Sequence, residues 1–330
     1  MENWGIVGHE WAVHLLQQAL EDGELSHAYL FTGPPGIGKG TLARALASAL
    51  LCLGSPRPCG ECRSCRLVAS GNHPDLFWVQ PESEVGRLKV EQVRELQRHL
   101  SLTPNMATHR VAILDRFDQA TPSAANALLK TLEEPPDFVV LILLAPDTDS
   151  LLPTIVSRCQ VVPLRPVPVS QIAGALQTRW GVDAETARRL AHLSGGRIGW
   201  AVRAATEPDL LRQRQQRIEE MVVLIHAPLT DRFRYAAELA RDPEAAQEAL
   251  DLWAGWWRDV LLLTGGVGEG REGESLLTHL DQRAHLEQMA ARFTPAQAVA
   301  RIQAIRTASD RLRRNANPQL TLEVLLGFDL

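Results

Sequence analysis

Short apolar runs alternate with amphipathic helical stretches through the first half of the chain, and helical periodicity alone fills the second half. Ala28-Tyr29-Leu30-Phe31 reads as a buried strand, since a short run with no polar alternation has no face to give to water. A glycine-rich loop, Gly33 to Gly40, follows it, and then an Ala/Leu-rich helix over residues 41–51. Residues 109–115 (HRVAILD) and 138–144 (FVVLILL) have the length and composition of further interior strands. Between them Thr121 is placed to cap a helix that opens on Pro122 and stops before Pro135-Pro136, because proline suits a first turn and blocks continuation. Residues 89–100 form another amphipathic helix, with Val90, Val93, Leu96 and Leu100 on one side. This alternation predicts an α/β layer on a largely parallel sheet.

Three prolines in residues 163–170 (PLRPVPVS) mark the end of that layer. Residues 171–205 suggest a small helical unit, and from about residue 210 the chain reads as helix only, broken by the glycine-rich segment 265–274. Trp253, Trp256, Trp257, Leu261 and Leu262 are best accounted for as the core of that helical part. Arg311, Arg313 and Arg314 read as a solvated helix face.

Composition narrows the function. The chain has 330 residues, 45% of them hydrophobic, which is ordinary for globular cores. No run approaches the roughly 20 apolar residues of a membrane span, and residues 28–31 are too short for a secretion signal. A soluble, cytoplasmic protein is expected. The formal charge of -5 gives no global pull toward nucleic acid, so any DNA contact must be local or shared.

The glycine loop carries candidate chemistry. Gly33-Pro-Pro-Gly36-Ile-Gly38-Lys39 fits most of the phosphate-binding pattern in which backbone amides wrap phosphates and the lysine reaches the outer ones. The pattern next requires Ser or Thr to hold Mg²⁺, but Gly40 stands there and Thr41 comes one step late, turned away by about 100° of helix. Asp115 closes an apolar strand as a second metal-site element would. Arg116 then stands where a carboxylate should activate water, and an arginine that stays charged accepts no proton. Asp118, two residues on, is not expected to point the same way. The residues therefore leave nucleotide binding open and argue for a degraded Mg²⁺ site.

Four of the five cysteines cluster as Cys52-x₆-Cys59-x₂-Cys62-x₂-Cys65, with Pro58 and Gly60 to turn the chain between them. In a reducing compartment such spacing points to a structural, tetrahedral Zn²⁺ before disulfides. Free thiols or a redox pair are the alternatives. His73 lies nearby and would be a superfluous ligand.

Residues 124–136 (AANALLKTLEEPP) and 151–159, ending in Ser157-Arg158-Cys159, closely resemble the bacterial DNA polymerase III clamp-loader subunits. The likeness runs from His27 to residues 317–326 (NPQLTLEVLL). It implies an AAA+ P-loop domain over 1–165 with a zinc insertion at 52–65, a helical lid over 166–207 and an all-α collar over 208–330. Two kinds of subunit share this layout: a gamma/tau type that hydrolyses ATP and a delta-prime type that serves as a rigid stator. Gly40 and Arg116 depart from the active pattern, as do Ala145, where a polar sensor is expected, and residues 195–199 (GGRIG), where a second sensor arginine is missing unless Arg197 fills it. All four point to the delta-prime type. The resemblance further implies that Arg158 is an arginine finger supplied in trans, with Ser157 and a buried, inert Cys159 fixing its geometry. It implies as partners the gamma/tau and delta subunits in a hetero-pentamer, and through them the sliding clamp and primed DNA. Two alternatives remain at this stage: a gamma/tau-like ATPase in which Thr41 and Asp118 compensate, and a zinc-containing interaction module outside replication.

Overall fold

The computed structural model describes residues 3–82, 86–267, 276–313 and 316–329. Five parallel strands, β1 Ala28–Thr32, β2 Leu76–Val79, β3 Arg110–Leu114, β4 Val139–Ala145 and β5 Gln160–Pro163, lie in the order β2-β3-β4-β1-β5. Every residue of β1, β3 and β4 is buried, as their unbroken apolar runs require of strands covered on both faces. Side chains alternate between two cores. Tyr29 and Phe31 pack with Leu42, Leu46 and Leu50 of α2 (Lys39–Leu51) and with Val13 and Leu16 of α1 (Glu10–Asp22). Ala28 and Leu30 face the other way, toward Leu96 of α4 (Val90–Leu100) and Leu128 of α5 (Pro122–Glu133). A short α3 (Arg63–Ala69) lies between α2 and β2.

The helix ends follow the expected chemistry. Thr121 Oγ1 accepts the Ala124 amide at 3.2 Å and Pro122 occupies the first turn of α5. At α4 the Lys89 amide donates to Gln92 Oε1 at 2.9 Å. The two edge strands, β2 and β5, were not foreseen. Each has four residues, only partly buried for the most part, and so carries a weaker apolar signal than the interior strands.

The chain divides into two compact units, Met1–Ala175 with Gly196–Trp200, and Leu176–Gly195 with Ala201–Leu330. The second is helical throughout its described residues. Its longest helix, Pro243–Thr264, starts on Asp242, whose Oδ1 accepts the amides of Glu244 (3.1 Å) and Ala245 (3.0 Å). Trp253, Trp256 and Trp257 of that helix are fully buried among Leu250, Leu286, Ile305 and Leu322, confirming their core role. Asp259, fully buried, accepts the amides of Thr278 (2.9 Å) and His279 (2.8 Å). Most of the expected glycine-rich break, residues 268–274, and Arg314 of the basic run lie outside the described residues. Arg311 and Arg313 sit in the last turn of helix Pro295–Arg313, where cations suit the helix dipole. Among the described residues no helix is long and apolar enough to cross a membrane.

Candidate functional site: a phosphate loop, an arginine and a four-cysteine knob

The order β3-β4-β1 brings the loops after three strands side by side at the carboxyl edge of the sheet, the place where open α/β sheets bind ligands. Gly33, Gly36 and Gly38 have φ of 145°, 77° and 114°, a backbone course that side chains with a Cβ resist, so the glycines are required by the loop itself. The Gly33 amide donates to Pro146 O at 2.9 Å, and α2 begins at Lys39, two residues earlier than expected. Lys39 turns back on its own loop, donating from Nζ to Gly33 O (2.5 Å) and Pro34 O (3.2 Å). Burial lowers its affinity for a proton, while the charges of Asp115 and Asp118 raise it. Asp118 thus acts on the same lysine as Asp115 despite its spacing.

Thr41 is exposed, as the helical step predicts. At Gly40, where a metal-holding hydroxyl would begin, a Cβ would stand 3.5 Å from Cη2 of Trp78, with the Arg44 guanidinium 4.8 Å from that indole. An aromatic wall thus borders the place of the missing hydroxyl. Asp115 is held at the end of β3, its amide on Val79 O (2.8 Å) and its Oδ1 accepting the Arg116 amide (2.9 Å). Arg116 has φ 49° and ψ 48°, a left-handed conformation uncommon for a residue with a side chain. Ala145 is buried and apolar.

Residues 196–200 lie on the phosphate loop. The Gly199 amide donates to Gly36 O at 2.8 Å, and a Cβ on Gly199 would come within 2.9 Å of that oxygen. A Cβ on Gly36 would stand 3.2 Å from the Trp200 amide nitrogen. The residue of the GGRIG motif that meets the loop backbone is therefore Gly199, while the Arg197 guanidinium lies 5.9 Å from the Trp200 ring centre. On another side His9, buried and itself left-handed at φ 58°, places Nε2 3.0 Å from Ile37 O, which requires the Nε2–H tautomer to donate. His9 and Trp78 were not found by sequence reasoning, and Gly199 was marked only as part of the GGRIG motif, not for its contact with the loop. Each acts through tertiary contact and carries no spacing signature.

Arg158 follows a one-turn helix, α6 (Pro153–Val156). Its Nη1 donates to Thr154 O (2.8 Å) and Nη2 to Glu133 Oε1 (2.8 Å). Ser157 Oγ donates to Thr154 O at 3.2 Å. The neighbouring Cys159 is half-buried rather than buried as expected, and desolvation pushes its thiol up to about 12.

Cys52, at the end of α2, and Cys59, Cys62 and Cys65 bring their sulfurs within 4.8 Å of one another. Cys52 and Cys62 are 4.0 Å apart and Cys59 and Cys65 3.9 Å, close to the roughly 3.8 Å edge of a sulfur tetrahedron around Zn²⁺. Backbone amides of Gly54 and Cys59 donate to Cys52 Sγ (3.4 and 3.3 Å), that of Cys62 to Cys59 Sγ (3.3 Å) and that of Cys65 to Cys62 Sγ (3.4 Å), an arrangement that favours thiolates. Gly60 turns the chain at φ 78°. Burial pushes the Cys65 thiol up to about 12, with Cys62 and Cys52 adding to the rise. Four sulfurs gathered this closely, three of them accepting backbone amides, form a donor set that fits a metal with all four positions filled by sulfur.

His73 is not a fifth ligand. Its Nδ1 accepts the Asp75 amide at 3.0 Å, so Nε2 carries the proton and donates to Ser64 Oγ at 2.8 Å; Ser64 in turn donates to Leu51 O at 2.5 Å. This relay ties the cysteine knob to the start of β2 and the end of α2.

A parallel sheet with a glycine loop after β1, an aspartate after β3 and a Ser-Arg-Cys triplet before β5 defines an AAA+ P-loop protein of the clamp-loader class. The family described as DNA polymerase III, delta subunit, matches residues 8–168. The chain is 33% identical to DNA polymerase III subunit delta-prime of Bacillus subtilis over 94% of its own length and 93% of that protein. It is 39% identical to the delta-prime subunit of Pseudomonas aeruginosa over 57% of its own length and 58% of that protein. Subunit tau/gamma of Haemophilus influenzae is 38% identical over 51% of this chain and 24% of that protein. The chain belongs to the DNA polymerase III delta-prime family.

Proposed function

We propose that this chain is the non-hydrolysing stator of a DNA polymerase III clamp loader, lending Arg158 to the nucleotide site of a neighbouring subunit. The observation that carries the reading is the pair of altered positions around the phosphate loop: Gly40, walled by Trp78, stands where a hydroxyl would hold Mg²⁺, and Arg116 follows Asp115 where a carboxylate would activate water. A site with neither the hydroxyl that holds Mg²⁺ nor the carboxylate that takes a proton from water has no means to activate it. Arg158, by contrast, is exposed over about a third of its side chain and ready to meet an anion. A cation set against a developing charge on a γ-phosphate is worth about 10³ to 10⁵ in rate in GTPases.

The partners under this proposal are the gamma/tau and delta subunits of a hetero-pentamer, working on the sliding clamp at primed DNA in the cytoplasm. The three-part division, a P-loop domain to 165, a lid to 207 and a collar beyond, belongs to the same proposal, as does Zn²⁺ as the metal of Cys52, Cys59, Cys62 and Cys65. When bound, the metal would cross-link the knob and supply no chemistry to the phosphate site.

Purified chain is to be mixed with its cognate ATP-hydrolysing subunit, delta subunit, clamp and primed DNA. Stimulated hydrolysis should rise on its addition and fall by at least about 10³-fold at the site facing Arg158 in Arg158→Ala. ATP turnover by the isolated chain that is lost in Lys39→Ala would instead establish the gamma/tau-like reading, in which Asp118 beside Lys39 takes part.

A further inference from the structure

The guanidinium of Arg158 is held within the chain at three points, the longest of them Nη1 to Ser157 Oγ at 3.4 Å. Nη2 donates to Glu133 Oε1 and Nη1 to Thr154 O, each at 2.8 Å. Glu133 is the last residue of α5, where a carboxylate opposes the negative end of the helix dipole, so the cation beside it relieves an unfavourable placement. The pair is a surface one, with 35% of the arginine and 51% of the glutamate side chain exposed. Such pairs are weak and open readily. A phosphate arriving from a neighbour and the Glu133 carboxylate compete for the same donor on Nη2, and like charges do not share it at close range.

We propose that Glu133 is a latch for Arg158: its carboxylate parks the guanidinium against α5, and a phosphate anion on the adjoining subunit competes it away. The latch rests on the reading that Arg158 acts in trans. It makes engagement an exchange of anions, so a neighbour without phosphate leaves the arginine parked and its charge neutralised. Glu133 is a positioning residue and touches no nucleotide.

The test uses full-length chain carrying Glu133→Gln, Arg158→Ala or both, titrated against the cognate ATP-hydrolysing subunit in its nucleotide-free form and loaded with a non-hydrolysable ATP analogue. Glu133→Gln should bind the loaded subunit about two- to fivefold more tightly, the range open to an exposed pair. The gain should be absent against the nucleotide-free subunit, should shrink as salt is raised, and should vanish in the Arg158→Ala background. Glu133→Ala must act in the same direction, which separates loss of charge from any local effect of glutamine. Unchanged or weaker binding by both variants, with Arg158→Ala still severe, would overturn the latch and leave the arginine finger standing. If Arg158→Ala has no effect, the action in trans fails and the latch with it.

Discussion

The amide of Gly199 bonds the carbonyl of Gly36 at 2.8 Å, and the position of Gly199 admits no side chain without moving the loop. The same motif that should carry a second sensor arginine thus closes on the phosphate loop through its barest residue.

Three outcomes follow for the nucleotide site and its loop. The isolated chain should show no ATP turnover above background, and Lys39→Ala should leave hydrolysis by the assembled complex within about twofold of wild type. Gly199→Ala places a methyl 2.9 Å from a backbone oxygen, so it should destabilise the first unit by about 1–3 kcal/mol in a denaturant titration. Metal-dependent turnover by the wild-type chain that is lost in Lys39→Ala would contradict the degraded site.

The cysteine knob should hold one Zn²⁺ per chain by elemental analysis. Cys62→Ser or Cys65→Ser should abolish retention through gel filtration, and removal of the metal by a chelator should lower the thermal midpoint of the first unit. His73→Ala breaks the relay to Ser64 without removing a ligand, so it should leave one metal per chain while costing about 1–3 kcal/mol in a denaturant titration. Stoichiometric metal in Cys65→Ser would count against the four-sulfur site.

The interior of the sheet and the chemistry-bearing motifs were legible because each has a local cause. β1, β3 and β4 are unbroken apolar runs, α5 carries its cap at Thr121, and the cysteine spacing is itself the geometry of a metal knob. What escaped depends on which distant segments meet. His9 reaches Ile37 across 28 positions, and Gly199 reaches Gly36 across a longer gap, with no periodicity to announce either. Trp78 lies on an edge strand too short to be distinguished from other apolar runs, so its place beside Gly40 could not be read in advance. The charge of Asp118 reaches Lys39 together with that of Asp115, a coupling through space that spacing along the chain does not announce.

Asp75 carries the clearest pH dependence. It is fully buried and accepts the amides of Asn105 (2.7 Å), Met106 (2.8 Å) and Ala107 (3.1 Å), with the buried Arg110 Nε at 3.9 Å. Burial pushes its pKa up, but the three amides and the charge of His73 outweigh that and leave it below the ordinary carboxylate value. The unfolded chain therefore takes up this proton first as pH falls, so the stabilisation is complete above about pH 4–5 and drains away as pH drops through the folded value. His73, lowered by burial against the opposing charge of Asp75, has the same sign at higher pH, with loss beginning below about pH 6.5. Asp75→Asn leaves at least one amide without an acceptor and should cost about 3 kcal/mol at neutral pH by denaturant titration. Because the substituted side chain does not titrate, its stability curve should lie nearly flat where that of the wild type falls below pH 4, and the two should converge there. A constant gap between them down to pH 3 would show that the carboxylate charge is not what holds the loop of residues 105–107.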